Sequence, residues 1–304
     1  MASTKNFGLI GAAGYVAPRH MKAIVDTGNR LVAAMDPNDS VGIIDSYAPG
    51  ASFFTEFERF DRHAEKLRRM GEENRMHYVS ICSPNYLHDA HCRFALRIGA
   101  DAICEKPLVL NPWNVDALRE LEEETGQRIW NVLQLRLHPA IQDLKLKIDE
   151  ERKSGSGRRH KVVLKYITRR GLWYSISWKG NINKSGGVVT NIGIHLFDAL
   201  LWIFGACHAS EVTARDEQSI QGHLELEHAD VEWHLSIKAS DLPTGSTSPA
   251  YRHLTFDGQP FDFSQGFNHL HTRLYQEIIN GRGFTLEDAL PAISLVSSLR
   301  EGAV

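Results

Sequence analysis

The sequence predicts an α/β chain of two domains. A doubly wound parallel-sheet domain spans residues 1–135, and an α+β domain with an open, mostly antiparallel sheet spans residues 136–304. Three observations carry this prediction. Short apolar runs alternate with helical stretches through the first 135 residues, the pattern of a parallel sheet with crossover helices. A turn of small residues joins the first apolar run to the first helix, at 11–17. Further on the period changes: Val231, Trp233, Leu235 and Ile237 alternate with Glu232, His234, Ser236 and Lys238, which marks a half-buried antiparallel strand.

Bulk properties bound the function. With 304 residues and a hydrophobic fraction of 42%, a sizeable core is available to each domain. A formal charge of -3 argues against a general nucleic-acid binder. No basic start leads into an apolar core and cleavage site, and the apolar stretches look too short to span a bilayer, so a cytoplasmic protein without membrane contact is expected. Cys82, Cys92, Cys104 and Cys207 form no C-x-x-C pair, which predicts reduced thiols.

Residues 7–10 form the first strand and lead into Gly11-Ala12-Ala13-Gly14-Tyr15-Val16-Ala17. Met21, Ile24 and Val25 then give a helical apolar face that Gly28 ends. Strand, small-residue turn and helix are the context of a dinucleotide fingerprint, in which the backbone approaches a pyrophosphate and a helix N-terminus offers unpaired N–H groups. Ala13 stands where such fingerprints place a second glycine, and the turn reads G-x-x-G-x-x-A. Residues 31–35 are the second strand, closed by Asp36. A carboxylate there suits the adenosine ribose hydroxyls. Asp39 follows, with no Lys or Arg between Asp36 and Ser40, so a 2′-phosphate would meet repulsion and NAD is expected over NADP.

Phe60, Ala64 and Leu67 mark the next helix. Residues 78–82 form a buried strand followed by Ser83-Pro84-Asn85, a turn suited to pass over the nicotinamide ribose. His88, His91 and Cys92 cluster, but no further ligand at a metal-site spacing completes them, so no metal is expected. The apolar run 100–104 ends in Glu105-Lys106-Pro107. Ligands of open α/β sheets bind beyond the carboxyl ends of strands, so Lys106 is placed for chemistry. Pro112 starts a helix carrying Val115, Leu118 and Leu121 and ending at Gly126; a strand at 129–135 runs into Gln134-Leu135-Arg136. A Ser-Gly run at 154–157 reads as a loop, 161–167 as a strand, 253–263 as a hairpin around Asp257-Gly258, and 270–279 and 286–299 as helices.

From 152 to 197 there is no Asp or Glu, while Arg152, Lys153, Arg158, Arg159, Lys161, Lys165, Arg169, Arg170, Lys179 and Lys184 all fall there. Such a field would concentrate an anionic ligand. The half from 152 to 161 reads as solvated; the half from 169 to 184, interleaved with Trp173, Tyr174 and Trp178, reads as ligand-binding. Beyond Gly186-Gly187, Asn191, His195 and Asp198 fall at i, i+4 and i+7, on one face of an otherwise apolar helix.

The glycine turn, Asp36, Cys82 to Asn85, Glu105-Lys106-Pro107, Gln134-x-Arg136-x-x-Pro139 and Gly186-Gly187 to His195 together resemble the glucose–fructose oxidoreductase/inositol dehydrogenase (Gfo/Idh/MocA) family over nearly the whole chain. More narrowly, 11–21, 169–180 and 190–195 look like the branch that oxidises UDP-N-acetyl-D-glucosaminuronic acid at C3 in lipopolysaccharide O-antigen biosynthesis. The resemblance implies a Rossmann domain holding NAD, an oxidoreductase acting on a CH–OH group, a homotetramer, a UDP-sugar acid substrate and a 2-oxo acid that reoxidises NADH. It assigns Gly11, Ala13, Gly14, Tyr15, Asp36, Asn38, Ser83, Pro84, Asn85, His88, Glu105, Lys106 and Gln134 to the cofactor. To the substrate it assigns Lys106, Arg136, Arg169, Arg170, Tyr174, Trp178, Lys179, Asn191 and His195. Lys106 and His195 are the catalytic candidates: His195 as proton acceptor and Lys106 as the group polarising the hydroxyl, with the reverse assignment open. Asn191 stands where the wider family often has an aspartate, so an Asp–His dyad is not assumed. Oxidation of another sugar or polyol, or redox-neutral glycoside cleavage with NAD, are the alternatives.

Overall fold

The computed structural model describes residues 4–155, 157–263 and 265–302; Ser156 of the expected Ser-Gly loop lies outside the described residues. The elements follow in order. The first stretch carries β1 (Asn6–Ile10), α1 (Ala17–Asp26), β2 (Arg30–Met35), β3 (Ser52–Phe54), α2 (Phe57–Arg69), β4 (Tyr78–Ile81), α3 (His88–Arg97), β5 (Asp101–Cys104), α4 (Trp113–Thr125) and β6 (Ile129–Asn131). The second carries α5 (Pro139–Lys153), β7 (His160–Thr168), α6 (Leu172–Ile176), α7 (Ile182–Ser185), α8 (Ile194–Phe204), β8 (Cys207–Arg215), β9 (Ser219–Leu226), β10 (Ala229–Ser236), β11 (Ala250–Phe256) and β12 (Gln259–Pro260). α9 (Leu270–Ile279) and α10 (Leu286–Glu301) end the chain.

Two compact units result. One runs up to Val132 and takes in His269–Ala289; the other is Leu133–Asn268 with the chain from Leu290 onward. The expected boundary at 135/136 therefore needs a correction: the chain returns to the first unit near its end. The reason is packing, because α9 lies against α1 and places Leu274 and Tyr275 fully inside that unit.

In the first unit, six strands order as β3-β2-β1-β4-β5-β6, and every pairing is parallel. This is the doubly wound order, whose switch point lies between β1 and β4. Every residue of β1 is buried, as a central strand covered on both faces requires. On α1 the buried face is Ala17, His20, Met21, Ala23 and Ile24. Val25, expected inward, is exposed, and His20 takes the inward position.

The second unit holds a sheet ordered β12-β11-β7-β10-β9-β8. It is antiparallel except for the β7–β10 pair. Val231, Trp233 and Leu235 of β10 face inward as their alternation predicts. The β11–β12 hairpin turns at Asp257 and Gly258, both at positive φ, the signature of a tight hairpin turn. Against the sheet packs a helical run. A π-helical segment, Val189–Gly193, leads into α8, and a Cβ on Gly193 would come within 2.5 Å of Leu235. The run Ile182–Phe204, 23 residues, is long and apolar enough to cross a membrane by length and composition, which corrects the expectation that no stretch is; 67% of its apolar window is buried inside the protein, as in a core helix.

Candidate active site

At the switch point of the first sheet, Gly11 adopts φ +89° and packs so closely that a Cβ would lie 2.6 Å from the Cys82 backbone. Only glycine meets both conditions. The turn is tied to the end of β2: Gly11 N–H donates to the Met35 carbonyl (2.8 Å), and Ala13 N–H donates to Asp36 Oδ2 (2.9 Å). Asp36 Oδ1 accepts the Asn38 N–H at 2.8 Å. Each oxygen keeps lone-pair capacity for a ribose hydroxyl. Tyr15 is almost wholly exposed, with the Arg19 guanidinium 5.5 Å from its ring centroid. These residues fit a dinucleotide. Asp36→Ala is expected to weaken NAD binding by roughly tenfold to a hundredfold, since it removes a carboxylate suited to the ribose hydroxyls and frees the turn it holds. Isothermal titration with NAD checks this, and an unchanged affinity would remove Asp36 from the cofactor set.

At the end of β4, Ser83 Oγ lies 2.8 Å from His91 Nδ1, and Asn85 is buried. His88, expected to touch the cofactor, sits at the start of α3. It is buried, with Nδ1 2.6 Å from the Pro107 carbonyl and Nε2 2.8 Å from the Ser83 carbonyl. Its polar atoms brace the exits of β4 and β5 against each other. His91 stacks on Phe57, and burial, then the neighbouring His88, pulls its pKa down to about 4. The unfolded chain binds that proton near the ordinary value of 6.5, so stability is full above it and falls as pH drops toward 4. Between pH 7 and pH 5 this histidine alone should remove about 2 kcal/mol. Urea midpoints at the two pH values measure it; equal midpoints would contradict a neutral, buried His91.

β5 delivers Glu105-Lys106-Pro107, and the Lys106–Pro107 peptide is cis. Lys106 is half-buried and Glu105 is buried. Glu105 Oε1 meets His20 Nε2 at 3.0 Å and His271 Nε2 at 3.4 Å, while Oε2 lies 3.3 Å from the Lys106 backbone nitrogen. Burial opposes ionisation of Glu105, but the converging imidazole donors outweigh it and hold the carboxyl well below its usual range. His20 Nδ1 lies 2.7 Å from the Tyr275 hydroxyl, which lies 2.6 Å from Ser80 Oγ. This string was not read from the sequence. Its members are 85, 166, 195 and 255 positions apart, so no local spacing could reveal it.

The second unit gathers the expected substrate residues around α6 to α8. Arg169 and Arg170 are exposed, and Lys179 Nζ sits 4.1 Å from the Trp178 ring centroid. Leu172, Trp173 and Ile176 are exposed beside them. The other half of the basic run is surface ion pairing: Arg158 meets Asp257 at 2.6 Å, and Arg159 meets Asp230. His195 is half-buried at the start of α8. The single polar face expected for Asn191, His195 and Asp198 is modified. Asn191 lies in the π-helical segment and donates to the Tyr174 hydroxyl at 2.6 Å. Asp198 accepts two hydrogen bonds from Arg136, at 2.7 and 3.1 Å, in a pair almost wholly buried. Arg136, expected to hold the substrate, thus commits its guanidinium edge to Asp198. Gln134 Oε1 is buried without a protein partner among the described residues, as an acceptor awaiting a ligand would be. The cysteines are free, and burial pushes the Cys82 and Cys104 thiols up.

With this geometry in place, the likeness to known proteins is specific. A Gfo/Idh/MocA model described as oxidoreductase family, NAD-binding Rossmann fold, matches residues 5–132, and one for the C-terminal alpha/beta domain matches residues 157–234. Two solved structures of the WlbA (WbpB) dehydrogenase from Thermus thermophilus, one with NAD and alpha-ketoglutarate and one with NAD and UDP-GlcNAcA, share 46% identity with the chain. Each comparison covers 99% of this chain and 96% of that one, with a TM-score of 0.93. The D-glucoside 3-dehydrogenase of Escherichia coli (strain K12) is 30% identical over 146 residues, 47% of this chain and 40% of that protein. The inositol 2-dehydrogenase of Rhizobium meliloti (strain 1021) is 28% identical over 204 residues, 66% of this chain and 56% of that protein. The chain thus spans about half the length of these curated relatives.

Proposed function

We propose, for a chain that belongs to the Gfo/Idh/MocA oxidoreductase family, the NAD-dependent oxidation of the sugar 3-hydroxyl of UDP-N-acetyl-D-glucosaminuronic acid to the 3-keto sugar. The observation that carries it is the 46% identity, over 99% of the chain, with a dehydrogenase crystallised with NAD and UDP-GlcNAcA. The chemistry of the residues agrees. This substrate carries a pyrophosphate and a carboxylate, and the segment holding Arg169, Arg170, Lys179 and Lys184 contains no acid to repel them. Trp178 offers a ring face to a base or sugar.

The C3 carbinol loses a hydride and a proton, giving ketone, NADH and H⁺. NAD, when bound, supplies the hydride acceptor. Asp36 and the Gly11 turn hold the adenosine half. Lys106 polarises the 3-hydroxyl, and His195 accepts its proton. A half-buried lysine and a half-buried imidazole keep part of their solvation, so both can exchange protons with water between turnovers. Reoxidation of NADH by a 2-oxo acid belongs to the same reading and rests on the alpha-ketoglutarate in the Thermus structure. A homotetramer and a cytoplasmic site in O-antigen sugar synthesis complete it.

The test is a mass spectrum of UDP-N-acetylglucosaminuronic acid after incubation with protein, NAD and 2-oxoglutarate. A product lighter by two hydrogens is expected. Unchanged substrate with NAD-loaded protein would overturn the assignment, and free UDP or free sugar would put glycoside cleavage in its place.

A further inference from the structure

We propose that Ser80, Tyr275, His20 and Glu105 form a directional hydrogen-bond relay inside the first unit that positions Lys106, with Tyr275 and His20 as its positioning residues. The proposal rests on Lys106 acting at the substrate hydroxyl. Ser80, Tyr275 and His20 are fully buried, and Glu105 and His271 nearly so. Polar groups at such depth cost stability unless each has a partner. Here every contact has a partner, and the chemistry of each group fixes its direction.

An ionised Glu105 can only accept, so His20 donates from Nε2 across 3.0 Å. Burial pulls the His20 pKa down, so the ring is neutral and its Nδ1 carries a lone pair. The Tyr275 hydroxyl, 2.7 Å away, therefore donates to Nδ1, and Ser80 Oγ, 2.6 Å from that hydroxyl, donates to its oxygen. His271 adds a second N–H to Glu105 Oε1 at 3.4 Å. The relay ends where chemistry begins: Glu105 Oε2 takes the Lys106 N–H at 3.3 Å, at the exit of β5. A phenylalanine and an aliphatic residue would fill the places of Tyr275 and His20 at lower desolvation cost. What the polar string supplies is a fixed, ionised carboxylate immediately before Lys106. That carboxylate meets Lys106 at its backbone N–H, so it fixes where the strand exit places the lysine.

The other groups around this carboxylate are consistent with that balance. Arg19 on α1 acts on His20, and His271 and Tyr275 come from α9. His88 on α3 and the thiols Cys82 and Cys104 feel the Glu105 charge, and burial keeps both thiols protonated. The ligand atoms of His20, Glu105 and His271 also lie within 4.8 Å of one another, a set a divalent metal could use. A bound metal would take the lone pair of His20 Nε2 and so exclude its donation to Glu105. The two readings are therefore separable.

The experiment uses the full chain, wild type against Tyr275→Phe and Ser80→Ala. Nitrogen-15 NMR of histidine-labelled protein should show His20 as a neutral Nε2–H tautomer in the wild type and a mixed or protonated ring in Tyr275→Phe. Reductive carbon-13 methylation, with the Lys106 signal assigned by its loss in Lys106→Met, should show the Lys106 titration moved in Tyr275→Phe. Neither readout needs turnover, so failure of the proposed reaction and failure of the relay are distinguishable. In turnover, kcat should fall about tenfold in Tyr275→Phe and a few-fold in Ser80→Ala, with KM for sugar and NAD within about twofold of wild type. Should Tyr275→Phe not fold, Ser80→Ala carries the test, because it keeps the Tyr275 donor and removes only its support. An unchanged His20 tautomer and Lys106 titration would overturn the relay, as would one equivalent of zinc surviving chelator treatment of the wild type.

Discussion

Lys106→Met is expected to give a folded protein that still binds NAD but oxidises the nucleotide sugar at least about a thousandfold more slowly. Methionine matches the reach of the lysine stem and removes only its charge and donors. Lys106 is half-buried, so water can reach the position, but it brings neither the fixed placement nor the positive charge of the ammonium. The Gly11 turn and its tie to Asp36, proposed above to hold the adenosine half of the dinucleotide, are not touched by this change. Single-turnover NADH formation gives the chemical step, and titration with NAD gives binding. Near-normal turnover would remove Lys106 from the mechanism. The companion change, His195→Asn, tests the proposed division of roles: with His195 as the proton acceptor, it should leave a residual rate that climbs with pH as hydroxide replaces the imidazole, whereas Lys106→Met should show no such recovery.

What the sequence made legible was whatever repeats at short range. β1 and β5 are continuous apolar runs because they are central parallel strands, and β10 alternates because one of its faces is polar. Asp257-Gly258 announced its hairpin because two successive positive φ angles need such residues. The fingerprint and Asp36 were legible because the turn and the strand that it contacts are neighbours in sequence. The rest depends on pairings across the chain. α9 is plainly amphipathic, but nothing in it says that its buried face belongs to the first unit. His20 carries no local signal in the sequence, because its partner Glu105 lies 85 positions away. The even spacing of Asn191, His195 and Asp198 suggested one face, and a π-helical segment at 189–193 breaks that register.

The same lesson bears on Arg136, which the family resemblance assigned to the substrate. Its carboxylate partner, Asp198, lies on α8 beyond His195, and both members of the pair are under a tenth exposed. Removing one partner of a buried pair leaves an uncompensated charge, so Arg136→Ala and Asp198→Ala should each destabilise the protein by about 3–5 kcal/mol. Replacing both, Arg136→Met with Asp198→Leu, removes the stranded charge and should recover most of that loss. The double variant then decides what the pair is for. The 3-10 turn Gln134–Leu137 carries Arg136, so the pair fixes that turn to the helix bearing His195. If its task is to hold His195, the stable double variant will show a lower kcat with the KM for the UDP-sugar nearly unchanged. If Arg136 also meets an anionic group of the substrate, KM will rise by tenfold or so while the protein remains as stable as before. A double variant with both constants intact would leave the pair a role in folding alone, and the anion would then rest on the exposed Arg169 and Arg170.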